Sequence, residues 1–288
     1  MRHLLKNIIC VLILAGFSSC EDVIEVDLPT EEPRLIIDAV IRVDASTEST
    51  LVTVKVSETN SFFGNVPPAN LQQITMSNLD NPGGGLQDQV LDEVEPGIYA
   101  KLFPTEQLIA DRWFLQVDFE DEFYVAEAKF VPTVPIDNLE FGNEILFDED
   151  DTELIVTFTD EDERIDYYIF DFDFGNFLVT DDEFYQGQEF EFSYFYDEDL
   201  APGDEIEVSI LGADEAFFRY MDQIIIQSEG NQGPFETPTL TVRGNLINAT
   251  DIDNDETENN VDNENNFALG YFAIVQEYKQ IAVVPEEN

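Results

Sequence analysis

The chain has 288 residues, with 63 Asp and Glu against 12 Lys and Arg and a net charge of −51. That charge excludes nucleic acid as a partner, because binding a polyphosphate depends on cations that displace its counterions. Hydrophobic residues make up 43% of the chain, with 24 Phe and 10 Tyr, enough to build packed cores, so global disorder is excluded too.

Arg2 and Lys6 give the N-terminus a cationic start, and Ile8 to Phe17 (IICVLILAGF) is an apolar run ending in Ser18-Ser19-Cys20. The run is too short to cross a hydrocarbon core of about 30 Å as a helix, and its layout is that of a secretory signal. A cysteine directly after small residues marks a bacterial lipoprotein processing site. The expectation is therefore a signal peptide over 1–19 and a lipid anchor on Cys20; the alternative is an ordinary signal with an incidental cysteine. Acyl chains contribute about 0.8 kcal/mol per buried methylene, so the mature protein is expected to be tethered to a membrane rather than to span it.

Processing at Cys20 would remove His3, the only histidine, and Cys10, one of only two cysteines. The mature chain would then lack the commonest general base, a cysteine nucleophile and the usual zinc and haem ligands. No internal disulfide can form. These exclusions favour a non-enzymatic protein with no cofactor.

Residues 20–32 (CEDVIEVDLPTEE) form an acidic tether, and from Arg34 onward strand follows strand. RLIIDAVIRV (34–43) is rich in β-branched residues. In LVTVKVS (51–57), Val52, Val54 and Val56 alternate with Thr53, Lys55 and Ser57, the period of a half-buried strand. LQQITMS (71–77), GIYAKLF (97–103), RWFLQVDF (112–119) and EFYVAEAKF (122–130) continue the series, the last two joined by a tight turn at Glu120-Asp121. Such spacing predicts an immunoglobulin-like β-sandwich over 33–132, with Trp113 in its core.

Pro132 and Pro135 punctuate a boundary, and a second β-rich domain is expected over 133–288. Its predicted strands are 152–160, 166–174, 188–196 and 204–211. One helix is predicted at 213–228: Phe217, Tyr220, Met221, Ile224 and Ile225 form an apolar stripe, and Asp214 is the N-cap. The stripe is expected to pack on a sheet; docking a partner would require it to be exposed. The fold class expected is all-β, with two sandwich-like domains and this helix in the second. Residues 239–248 and 266–279 close the chain around a polar acidic insert at 251–265.

Two patterns carry candidate chemistry. Asp251, Asp253 and Asp255 have the alternate spacing that presents oxygens to calcium, although Glu256 and Asp262 stand where a calcium loop places its Gly and Glu. The competing reading is a solvated loop. Phe170, Phe172 and Phe174 alternate with Asp171 and Asp173, and Glu189-Phe190-Glu191-Phe192 repeats the pattern. A glycan platform or a carboxylate pair for glycoside hydrolysis would use such residues, but a strand with Phe in the core and acid in water is the simpler expectation.

Several segments together resemble the DUF4249 family of Bacteroidota lipoproteins. They are Cys20-Glu21 with its acidic spacer, LIIDAVI (35–41), VTVKVSET (52–59), GIYA (97–100), Pro135-Ile136-Asp137-Asn138-Leu139, LGADEAFFRYM (211–221), Gly244-Asn245-Leu246-Ile247-Asn248 and LGYF (269–272). The resemblance runs nearly the full mature length in order, and no catalytic residues come with it. It implies an outer-membrane lipoprotein, facing the cell surface, that serves as an accessory or ligand-capture subunit of a TonB-dependent receptor. A surface adhesin or glycan-binding module is the alternative, and a carboxylate-based hydrolase a third.

Overall fold

The period of two seen in the sequence is the period of burial along the first strands. Leu35, Ile37, Ala39, Ile41 and Val43 of β1 (Leu35–Val43) enter a core, as do Val52, Val54 and Val56 of β2 (Ser49–Glu58). The structure is a computed structural model that describes residues 33–60, 64–81, 83, 86–144, 152–228, 241–250 and 267–286. β3 (Gln73–Asn78), the short β4 (Gln89–Val90) and β5 (Asp92–Glu95) lead into β6 (Ile98–Pro104). A short helix, α1 (Thr105–Ala110), then precedes the hairpin of β7 (Arg112–Phe119) and β8 (Glu122–Val131). Glu120 turns that hairpin with a left-handed φ of 53°. At six residues α1 is too short to show a helical period, which is why the sequence reading lacks it.

β1, β2, β6 and β5 form one layer, and β4, β3, β7 and β8 the other. Trp113 lies fully buried between them, its indole N–H donating to the Gln107 carbonyl at 3.2 Å and its ring edge-on to Phe103 at 5.3 Å. Leu108 of α1 is buried in the same cluster, so the helix closes one end of this core.

After Pro132 the chain builds β9 (Ile136–Phe141), β10 (Thr152–Thr159), β11 (Tyr167–Asp171), β12 (Phe177–Asp181), β13 (Glu189–Tyr196) and β14 (Glu205–Ala213). β13, β10 and β9 pair as a separate sheet. Between that sheet and β11 and β14 lies a second core, in which Phe158, Tyr168, Phe170, Phe172 and Tyr196 are fully buried. Phe172 stacks on Tyr194 with centroids 3.9 Å apart and planes at 6°. The strand expected over 166–174 stops at Asp171, because Asp173, Phe174 and Gly175 turn the chain with φ of 66°, 52° and 86°. Phe174 is therefore 56% exposed, whereas Phe170 and Phe172 are core residues as expected.

The two-residue β15 (Ile247–Asn248) pairs with β8, and the chain then enters its longest strand, β16 (Leu269–Val283). From Leu269 to Gln276, β16 runs parallel to β1; from Glu277 to Val283 it runs antiparallel to β14. It belongs to both sandwiches, and Pro33–Asn288 forms one compact unit. The fold is all-β and sandwich-like, with its two layers of core strung along this strand.

α2 (Glu215–Ser228) lies against the opposite face of the sheet from the first core. Asp214 caps it as expected, its carboxylate accepting the Phe217 N–H at 2.8 Å. Phe217 and the half-buried Phe218, Tyr220 and Met221 pack on Ile169, Leu211 and Tyr271. Toward the helix C-terminus the stripe loses part of this cover: Ile224 is 37% exposed, while Ile225 stays half-buried. The expected packing thus holds for the first turns and loosens at Ile224.

Candidate functional site

Where α2 parts from the sheet, an apolar groove of about 640 Å³ opens between them. Its floor is the outward face of β1, with Ile36, Asp38, Val40 and Arg42, and the start of β16 with Leu269, Gly270 and Tyr271. Tyr220, Met221, Ile224 and Gln227 of α2 form its roof, and Thr241 and Val242 border it. The volume falls in the usual range for small-molecule sites, about 300–1,000 Å³, which are likewise mostly apolar with a few placed polar groups.

Two charges sit on this floor. Arg42 is engaged on both sides, with Nη2 2.8 Å from Asp171 Oδ2 and Nη1 3.0 Å from Glu277 Oε1. Burial opposes its charge, but the two carboxylates outweigh burial and raise its pKa above the ordinary arginine value. Asp38 differs. It lies opposite Tyr271 in the β1–β16 register, and its carboxylate has no hydrogen-bond or ion-pair partner among the described residues. Above it the rings of Phe217 and Tyr220 each lie 4.8 Å from that of Tyr271. Burial, and then the charge of Asp38, push the Tyr220 hydroxyl up to about 12.

Other polar clusters do structural work. At one end of the second sandwich Asp160, Asp166 and Asp182 are buried around the Tyr168 hydroxyl, which donates to Asp160. Each is already occupied: Asp160 accepts the Gly187 N–H at 2.7 Å, Asp182 the Asp166 N–H at 2.8 Å, and Asp166 pairs with Arg164 Nε at 2.5 Å. Burial, opposed by that backbone hydrogen bond and assisted by its acidic neighbours, raises the Asp182 pKa. Among the described residues no group of three His, Cys, Asp or Glu is arranged to hold a metal.

A second, open cleft is lined by Glu140, Glu144, Glu153 and Glu191. Glu153 there accepts from Ser193 Oγ at 2.5 Å and from the Glu144 N–H at 2.8 Å, which holds its carboxyl below the usual range. A glycosidase acid needs the opposite shift, so Glu153 does not suit the role of general acid.

Cys20 and the calcium candidate Asp251, Asp253 and Asp255 lie outside the described residues. Of the alternating aromatics, Phe170 and Phe172 are fully buried and Phe190 and Phe192 pack against the same core. The exposed one, Phe174, sits in a turn rather than on a sheet face.

Sequence reasoning missed Asp38 and Arg42. The signal was present in β1, where Ile36 and Val40 make the outward face partly apolar; a strand apolar on both faces is a strand covered on both faces. Two further segments beside the groove hold β16 in place. The Asn245 side chain donates to the Phe272 carbonyl at 2.8 Å and accepts the Phe272 N–H at 2.9 Å, standing in for a neighbouring strand. Arg34 and Arg243 both stack on Phe267, 4.4 and 3.8 Å from its centroid.

No helix among the described residues is long and apolar enough to cross a membrane. A search of curated proteins finds no match to this chain. A family model described as a domain of unknown function does match, over residues 21–281, and it spans both sandwiches, α2 and the Gly244-Asn245 and Leu269-Gly270-Tyr271-Phe272 segments just described: the chain belongs to the DUF4249 family.

Proposed function

We propose that this protein is a non-enzymatic ligand-capture subunit, held at the outer membrane by acyl chains on Cys20, that serves a TonB-dependent transporter. The observation that carries the capture role is the apolar groove of about 640 Å³ beneath α2, with the carboxylate of Asp38 on its floor. The tether role rests on the apolar start and the Ser18-Ser19-Cys20 junction. In this reading the anchor supplies proximity to the transporter and the groove supplies affinity for its cargo. The acidic surface keeps the protein soluble and attracts cations.

Gentle purification of tagged protein from detergent-solubilised outer membranes, beside a Cys20→Ala strain, tests this reading. A stoichiometric TonB-dependent receptor with the wild-type protein, lost with the variant, is the expected result. An anchored and abundant protein that comes out alone would overturn the transporter role.

A further inference from the structure

The groove's chemistry goes beyond an apolar slot, and its ligand class follows from three residues. Asp38 and Tyr271 are register neighbours on β1 and β16, and Tyr220 of α2 lies with its ring 4.8 Å from that of Tyr271. An exposed carboxylate with no hydrogen-bond or ion-pair partner among the described residues thus stands at the apolar floor beside two tyrosine rings, and the charge of Asp38 is felt at the Tyr220 hydroxyl. Arg42, the other charge on that floor, is neutralised by Asp171 and Glu277, and the cation nearest Asp38 in the strand register, the exposed Lys55 of β2, forms no ion pair with it. A carboxylate attracts a cation by charge, and tyrosine faces attract it through their quadrupole. The protein's net charge of −51 draws cations toward the surface and repels anions.

We infer that the groove binds an organic cation, an ammonium group carried on an apolar body, with the ammonium against Asp38 and Tyr220 and the body along Val40, Met221 and Ile224. This rests on the ligand-capture reading above and narrows it to a ligand class. It makes no use of the transporter.

Met221 gives a direct reporter. The chain has three methionines, and of these Met221 lines the groove while Met76 is fully buried in the first core. The full-length Cys20→Ala chain, which carries no acyl groups to compete for the groove, is labelled at its methionine methyls and titrated with octylammonium, 1-octanol and octanoate. Octylammonium is expected to shift the Met221 methyl and leave Met76 unmoved. Asp38→Asn is expected to weaken octylammonium about tenfold while changing 1-octanol little. Tyr220→Leu is expected to weaken octylammonium more than 1-octanol, and an unshifted Met76 signal certifies the fold of each variant. If 1-octanol or octanoate binds as tightly as octylammonium, or Asp38→Asn weakens all three alike, the cation inference is overturned and the capture reading stands. If none of the three moves Met221, because the groove is closed to ligands or filled by the chain itself, both are overturned.

Discussion

Gly244 lies directly against the carbonyl of Gly270: a Cβ on Gly244 would stand 1.6 Å from that oxygen. Gly270 in turn has a φ of 100°, and a Cβ there would lie 1.9 Å from the Ile37 carbonyl of β1. Three backbone segments are therefore layered where β16 begins, at the floor of the groove. Gly270→Ala combines backbone strain with a clash against backbone, and is expected to destabilise the protein by about 3 kcal/mol or more, read as a lower denaturant midpoint. A variant as stable as the wild type would show that this layering is not required.

Asn245 next to it satisfies both backbone groups of Phe272. Asn245→Ala leaves that N–H and carbonyl without these partners and is expected to cost about 1–3 kcal/mol. Asn245→Asp keeps the acceptor and loses the donor, so it should fall between. Hydrogen exchange at the Phe272 amide checks the mechanism: its protection should fall in Asn245→Ala and be kept in Asn245→Asp, which retains the acceptor.

Arg42 links β1 to β11 through Asp171 and to β16 through Glu277. Arg42→Met leaves Asp171 without its cation and Glu277 with only Lys279, whose Nζ lies 3.7 Å from Glu277 Oε2. Because the side chain is 34% exposed, water screens part of the effect, and a loss of about 1–2 kcal/mol is expected. Adding Asp171→Asn should restore part of it, which a double-mutant cycle measures.

Asp182 and Glu153 should give the protein opposite pH responses. Burial raises the Asp182 carboxyl, so the folded state holds that proton more tightly than the unfolded chain. Stability from this group falls as pH rises from the ordinary carboxyl value through the raised one, and at neutral pH Asp182 is a net penalty. Asp182→Asn keeps an acceptor for the Asp166 N–H and should be more stable than wild type at pH 7, with the gap closing toward pH 4. Glu153 is lowered by its hydrogen bonds to Ser193 and Glu144, so its contribution is present at neutral pH and lost as pH falls through the lowered value. Glu153→Gln should be less stable at pH 7, with that gap also closing in acid. Denaturant midpoints across this pH range read both.

Much of the fold was legible because local patterning and tertiary burial agree. β7 occupies the very residues that the apolar pattern marks, and α2 starts at the cap that Asp214 announces. The pattern misleads where backbone geometry decides. Phe174 continues the alternation of Phe170 and Phe172, yet positive φ at three successive residues swings it into water. The groove was half legible. The α2 stripe names Tyr220, Met221 and Ile224, but only the parallel pairing of β1 with β16 sets Asp38 beside Tyr271, and a contact across more than two hundred residues leaves no local trace.

The central claim, that the groove beneath α2 captures a small ligand, is most directly tested by native mass spectrometry. Protein isolated from its own cells would be compared with a Met221→Trp variant, whose indole fills the groove from the helix side. A bound small molecule on the wild type that is absent from the folded variant is the expected result. The same bound species on both, or none on either, would contradict it.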